Sequence, residues 1–549
     1  MRKIFILAIL SGVVVISFSQ TKSIPLNANA IQRPKLVVGI VVDQMRWDFL
    51  YRYYERYAVT GGFKRFLTQG YSCENTLIPY TPTVTACGHT TIYTGSVPSI
   101  HGVTGNAWYD NLLKRTVYCT EDNTVKAVGA TGAVGEMSPR NMLVTTICDE
   151  LRLASNFGSK VIGVAFKDRG GILPAGHSAN AAYWYNGSTG DWITSTYYMN
   201  ELPAWVKDFN AKKLSDKYYK QNWKTLYPIG TYLQSTTDEK GYEVKSLGAD
   251  AKGFPYDLEK FVGKNYGAIA STPYGNSITA EMAKAAIEAE RLGADNVTDI
   301  LAVSFSSPDY VGHAFGPNSI EIEDTYLRLD KDLGDFFTYL DTKIGKGEYL
   351  VFLSADHGVS HIPDFLKENR IPAGTINSGE IMSRFNIQLK EKFGKDRLIV
   401  SMFNYQVHLN HPVIDSSTLN ENAIKKWIID SLKGIESVVQ AIDLQQLGNI
   451  PLNVTIKTMI ENGYFPRRCG DIQIIFRPQF IDGGFTGTTH GSWNPYDAHI
   501  PLLWYGWNIL PGKTHRETYM TDIAPTLAAI LKIQAPSGSV GKVIEEVVR

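Results

Sequence analysis

Near-continuous apolar runs of strand length recur along this chain, at residues 36–42, 161–166, 300–305, 349–353, 472–476 and 500–505. Such a run offers no solvent face, so it suits a strand covered on both sides, as in a parallel or mixed sheet with helices on its two faces. Helical patterns lie between the runs. Residues 277–292 read SITAEMAKAAIEAERL and stop at Gly293, a residue that ends helices well. Residues 320–344 place Leu329, Leu333, Phe336, Phe337, Leu340 and Ile344 at helical spacing, a core-facing stripe. A last helix at 522–531 has Pro525 in its first turn, where proline is tolerated. Strands alternating with helices predict an α/β fold with a mixed, mostly parallel central sheet and helices on both faces. Two stretches break the alternation, about 177–272 (rich in Tyr, Trp, Asn, Gly and Lys) and about 362–468. Neither is set off by a Pro/Ser linker, so the expectation is one α/β domain over 20–549 carrying both as inserted cap segments.

Charge narrows the partners. Lys+Arg and Asp+Glu balance at 54 each, which gives no basic footprint for nucleic acid. Arg2 and Lys3 precede an apolar run at 4–18, and Ser17 and Ser19 supply small residues for cleavage after Ser19. Residues 1–19 therefore read as a signal peptide, and the mature protein as periplasmic or secreted, with no stable membrane anchor and acting as a monomer on small molecules. Five cysteines, Cys73, Cys87, Cys119, Cys148 and Cys469, lie in the mature part. An oxidising compartment permits up to two bridges, and one between Cys73 and Cys119 would fix the segment they flank; the pairing stays open. No Cys-x-x-Cys occurs, which argues against a thiolate metal site.

The chemistry-bearing residues sit where strands end, which is where open α/β sheets bind ligands. Asp43 follows 36–42; Lys167 and Arg169 follow 161–166; Asp309 and His313 follow 300–305 in SSPDYVGHAFG; Asp356 and His357 follow 349–353 in SADHG. His490 lies in TTHGSW, ahead of the last run. Thr85 stands where a loop passes into a helical stretch, 86–93, in the field of unpaired helix-start N–H groups that suit a phosphate. Each residue alone has an ordinary structural explanation as a cap, a turn or a satisfied histidine. Together, three Asp and three His form a mixture that suits Zn²⁺ better than the harder Mg²⁺ or Ca²⁺, and six ligands suffice for two zinc ions. A paired-cation site would hold the attacking and leaving oxygens of an in-line displacement and activate a threonine hydroxyl.

The set GIVVDQMR, TPTVTACGHTTIYTG, SPDYVGH, SADHG and THGSW resembles the alkaline phosphatase superfamily. More narrowly it resembles the branch joining nucleotide pyrophosphatase/phosphodiesterases to PafA-type alkaline phosphatases. The resemblance implies one zinc ion on Asp309, His313 and His490, and a second on Asp43, Asp356, His357 and the Thr85 oxygen. It implies a phosphothreonine at Thr85, hydrolysed by zinc-bound water, and makes Asn106 a ligand of a phosphoryl oxygen. Lys167 and Arg169 resemble the Lys-x-Arg element of the monoesterases, and a cation pair would reward the extra charge of a phosphate monoester dianion. The resulting expectation is an exported di-zinc alkaline phosphatase of broad specificity. The alternatives are a phosphodiesterase or nucleotide pyrophosphatase of the same superfamily, and a non-catalytic binding protein on the same fold. A sulfatase would need a modifiable Cys or Ser where Thr85 stands.

Overall fold

The structure is a computed structural model and describes residues 31–484 and 486–548. The signal-peptide expectation for 1–19 lies outside the described residues, and every element below belongs to the unit that begins at Pro34. In chain order the strands of the main sheet are β1 (Leu36–Val42), β2 (Tyr71–Leu77), β3 (Ala127–Val128), β4 (Val161–Ala165), β5 (Ala181–Asn186), β6 (Asp191–Ser195), β7 (Asp299–Phe305), β8 (Tyr349–Ser354), β9 (His499–Ile500), β10 (Leu502–Gly506) and β11 (Gly512–Tyr519). The helices that matter for the site are α1 (Thr85–Thr94), α2 (Asp168–Ala175), α3 (Tyr274–Glu290), α4 (Ser307–Phe315), α5 (Ile320–Leu340) and α6 (Ile523–Leu531).

The strands lie in the order β9-β2-β10-β8-β1-β7-β4-β5-β6-β3, with β11 beside β2. The centre, β8-β1-β7-β4-β5, is parallel, and antiparallel pairs flank it on both sides. Every residue of β1, β4, β7 and β8 is buried, as continuous apolar strands between two helical layers must be. Register then fixes function. Val41 lies opposite both Ser304 and Ser354, and Ala165 opposite Ser304. The carboxyl ends of four strands are therefore level, and the residues that follow each strand emerge on one rim.

Some expectations shift in detail. Residues 472–476 leave the main sheet: Ile472–Phe476 joins an antiparallel four-stranded sheet with Ile399–Phe403, Gln406–Leu409 and Val438–Asp443. The run is apolar throughout because its two faces enter different clusters: Ile472, Ile474 and Phe476 face one, and Ile475 the other. Pro501, lacking an N–H, divides the last run into β9 and β10. α3 ends at Arg291 in the left-handed region, before Gly293. α5 stops at Leu340 and passes into a π-turn, Asp341–Gly345. The stretch from 177 contributes β5 and β6 to the main sheet, using buried aromatics such as Trp184 and Trp192 in place of branched aliphatics. All five cysteines are free and buried, so the bridge considered between Cys73 and Cys119 is not formed.

Gly39, in the middle of β1, shows how closely α1 sits on the sheet. A Cβ there would strike the Tyr93 hydroxyl of α1 and come 2.6 Å from Cζ of Phe352 on β8. Gly39→Ala is expected to destabilise the fold by about 1–3 kcal/mol, the usual range for overpacking a dense core. Urea unfolding of the variant beside the parent protein measures it.

Candidate active site

α1 is buried at every position, so its polar groups depend on the protein for partners. Two of its threonines turn back on the helix: Thr90 donates to the Ala86 carbonyl at 2.7 Å and Thr94 to the Thr90 carbonyl at 2.8 Å. Thr85 behaves differently. Its Oγ1 lies 3.4 Å from Nε2 of His357 at the first residue of the helix, after an extended Val84. The Ala86 N–H beside it donates to Oδ1 of Asn106 at 2.9 Å. Gly88 brings this helix start onto the rim, since a Cβ there would run into the backbone of Asp356 and come 2.6 Å from its Cβ.

Around Thr85 the rim residues fall into two groups. In Asp43, Asp356 and His357, one potential ligand atom from each lies within 4.8 Å of the others, and the same holds for Asp309, His357 and His490. His313 also turns to Asp309, with Nε2 3.2 Å from Oδ1. His357 thus faces both groups, and its ring stacks on His490 with centroids 3.5 Å apart. Lys167 places Nζ 2.7 Å from Oδ2 of Asp43 and 2.5 Å from Oδ2 of Asp309.

The donor set fits divalent cations on three counts. Each histidine places Nδ1 against a backbone carbonyl: His357 on Gly358 at 3.0 Å, His313 on Thr488 at 2.7 Å and His490 on Thr83 at 2.8 Å. An Nδ1–H donated there leaves the Nε2 lone pair turned toward carboxylate oxygens, an arrangement that a metal ion satisfies. Oδ1 of Asp43 and Oδ2 of Asp356 are buried with no hydrogen-bond partner. The charges also call for cations. Burial, with Asp309 and Asp356 nearby, raises the Asp43 carboxyl well above the ordinary range. Burial opposes charge on Asp309 too, but His313 and Lys167 outweigh it and hold that carboxyl low. Burial, together with His357 and His313, keeps His490 well below the usual imidazole value.

Arg169 lies in the first turn of α2. Its Nη1 donates to the Tyr118 hydroxyl at 2.9 Å, Tyr118 donates to Asp168 at 2.8 Å, and its buried Nε has no partner. Sequence reasoning missed Tyr118, as it missed His89 and Gln44. His89 is buried with Nδ1 2.9 Å from the Thr85 carbonyl and 3.3 Å from Oδ2 of Asp356, and its Nε2 meets Ser304 at 2.8 Å. Its position one helical turn after Thr85 was the available signal. Gln44 donates through Nε2 to Asp309 at 2.7 Å. A third cluster, His411, Glu421 and Asp471, is an ion-pair clamp. The two His411 nitrogens are divided between Asp471 (2.9 Å) and Glu421 (3.6 Å), and Lys425 pairs with Glu421 at 2.8 Å.

Fold and site together define a class, an α/β protein that sets a helix-start hydroxyl against carboxylate–imidazole groups suited to divalent cations. A model of the family described as type I phosphodiesterase / nucleotide pyrophosphatase matches residues 37–493, and the chain belongs to that family. The chain is 54% identical over 528 residues to alkaline phosphatase PhoV of Synechococcus elongatus, covering 94% of both chains. It is equally similar, 54% over 528 residues, to a Myroides odoratus protein named calcium-transporting ATPase, covering 95% of this chain and 96% of the other. To alkaline phosphatase PafA of Elizabethkingia meningoseptica it is 50% identical over 523 residues, 95% of each. The crystal structure of wild-type PafA matches at a TM-score of 0.93, covering 95% of this chain and 100% of that one. A PafA variant substituted at one threonine, one asparagine, one lysine and one arginine matches at 0.93, with 49% identity, covering the same shares of the two chains. The resemblance to PafA-type alkaline phosphatases carried by the motifs is borne out, and membership of that group implies bound metal ions. Among the described residues no helix is long and apolar enough to cross a membrane.

Behind α1, His101 ties the helix to the loop that carries Asn106. The Val103 N–H donates to its Nδ1 at 3.1 Å, so the neutral ring presents Nε2–H to Thr91 at 3.1 Å. Burial, aided by the Arg468 charge, lowers its pKa from 6.5 to about 3. Between those values the unfolded chain takes a proton that the folded protein refuses. Stability from this residue is therefore present above pH 6.5 and lost as pH falls toward 3. His101→Gln is expected to flatten the stability–pH slope in that window by up to about 1.4 kcal/mol per pH unit. Urea unfolding across a pH series, parent against variant, checks it.

Proposed function

We propose that this chain is an exported alkaline phosphatase that hydrolyses phosphate monoesters of broad specificity through a phosphothreonine at Thr85. The residues proposed to hold two zinc ions are Asp309, His313 and His490 for one, and Asp43, Asp356, His357 and the Thr85 oxygen for the other. The observation that carries this reading is that His357, which belongs to both candidate ligand groups, lies 3.4 Å from a buried hydroxyl at a helix start. When bound, such cations would lower the pKa of the hydroxyl and offset charge on the leaving oxygen. The full-length likeness to PhoV and PafA, both alkaline phosphatases, supports the same reading.

The chain's own residues do the rest. Thr85 Oγ1 attacks phosphorus, the ester oxygen departs as an alcohol, and water cleaves the Thr85 phosphoester to release inorganic phosphate. Ala86 N–H engages the carbonyl end of Asn106, which leaves the amide donors of Asn106 for a phosphoryl oxygen. Arg169 is steadied by Tyr118 at one end and keeps an unpartnered donor, Nε. Burial opposes the Lys167 charge, but Asp309 and Asp43 outweigh it and raise its pKa. A monoester dianion has the charge to draw both cations; a diester has less. The residue types altered in the PafA variant are Thr, Asn, Lys and Arg in that order, the same types and order as Thr85, Asn106, Lys167 and Arg169. Export rests on the reading of residues 1–19.

The family description favours a second reading, a phosphodiesterase. The ratio of kcat/KM for an aryl phosphate to that for its methyl diester decides between them, and a preference for the diester overturns the monoesterase assignment. Thr85→Ala is expected to abolish phosphoenzyme formation and lower turnover about 10³-fold or more, with Thr85→Ser retaining part of both. Rapid-quench trapping of phosphoprotein measures it. Lys167→Ala with Arg169→Ala is expected to lower monoester kcat/KM by about 10²- to 10⁴-fold while sparing the diester, since two charge-assisted contacts are lost. Equal losses on both substrates contradict the role.

A further inference from the structure

Gln44 adopts φ of +66°, in the left-handed region, although it is not glycine. It stands directly after Asp43, in a turn closed by the Met45 N–H donating to the Val42 carbonyl at 3.2 Å. A side chain in this region is strained, and such residues persist where surrounding contacts hold them. Here two contacts do so. The Gln44 backbone N–H donates to Oδ1 of Asp356 at 3.1 Å, and its side-chain amide donates to Oδ1 of Asp309 at 2.7 Å. The residue is only 2% exposed, so both bonds are shielded from water.

These two acceptors belong to different groups of the site. Holding Oδ1 of Asp356 leaves its Oδ2 as the oxygen that faces His357 Nε2, at 3.4 Å. On the other side, the amide meets the same Asp309 oxygen that His313 and His490 approach, at 3.2 and 3.6 Å. Gly312, one residue before His313, makes room for the arrangement, since a Cβ there would collide with Gln44 Oε1. The amide orients Asp309 while adding no formal charge, so the carboxylate keeps its charge for a cation.

We propose that Gln44 is a positioning residue that braces the two metal-binding groups against each other, through its backbone for Asp356 and its side chain for Asp309. The inference rests on the two-zinc reading above. Removing the amide weakens the Asp309, His313 and His490 group, whereas the backbone N–H, present in any non-proline variant, preserves the other group. Ligand-orienting partners of this kind typically govern metal affinity by about 10- to 100-fold.

The test is zinc titration of the purified protein against a chromogenic chelator, with zinc content after dialysis. The parent is expected to take up two ions. Gln44→Gly, which accepts the left-handed backbone and keeps the N–H, is expected to bind one of them about 10- to 100-fold more weakly and the other unchanged. Gln44→Glu, which sets an acceptor against Asp309, is expected to do the same more severely. Gly312→Ala, which displaces the amide without removing it, is expected to follow Gln44→Gly. A parent that binds no zinc overturns the two-metal reading and this inference with it. A parent with two ions, and Gln44 variants that keep both at parental affinity or weaken both equally, overturn this inference alone.

Discussion

Three buried carboxylates, Asp43, Asp309 and Asp356, meet at one rim of the sheet with a single ammonium, Lys167, between two of them. Placing like charges together out of water is strongly unfavourable unless cations offset them. Of the three imidazoles present, burial lowers the pKa of His357 and His490 and so disfavours their charged forms, while on His313 burial is outweighed by Asp309, which raises its pKa. The rest of the structure around the rim follows from this demand for positive charge. It explains why two carboxylate oxygens are left without partners, and why a lysine is buried at all.

The scaffold sustains the crowding by rigidity. Four parallel strands end at the same level because their register is set by fully buried apolar faces, and a slip by one residue would turn each buried side chain to the opposite face. Against this rim the chain presses a helix that is itself wholly buried, with Gly39 admitting Tyr93 on one side and Gly88 admitting Asp356 on the other. A hydroxyl on a surface helix would be solvated and mobile. Thr85, 1% exposed and flanked by His357, has little freedom to misalign.

Much of this was legible in the sequence because the signals were local. The strands β1, β4, β7 and β8 were readable as apolar runs, and a residue just after such a run lands on the rim whatever the loops do. Asp43, Lys167, Asp309 and Asp356 are all of that kind. Residues whose role depends on distant partners were invisible. Tyr118 comes from a hairpin, Ala107–Asp110 with Arg115–Tyr118, that carries no mark of its service to Arg169. Gln44 sat inside a quoted motif, but its importance lies in a positive φ and in acceptors 265 and 312 positions away. The placement of Ile472–Phe476 failed for a related reason. Apolarity reports burial on both faces and not which sheet provides it.

The position of Lys167 links metal binding to substrate choice. Its ammonium now neutralises the Asp43 and Asp309 carboxylates, the same groups proposed to ligate zinc. Divalent cations on those carboxylates would take over that neutralising role and leave the lysine charge seeking another anion in a buried place. A phosphate dianion answers that need more fully than a monoanionic diester, and Arg169, with an unpartnered buried donor, adds to the preference. On this argument monoester selectivity is not a separate device added beside the metal site. It would arise from the same electrostatic imbalance that suits the rim to divalent cations.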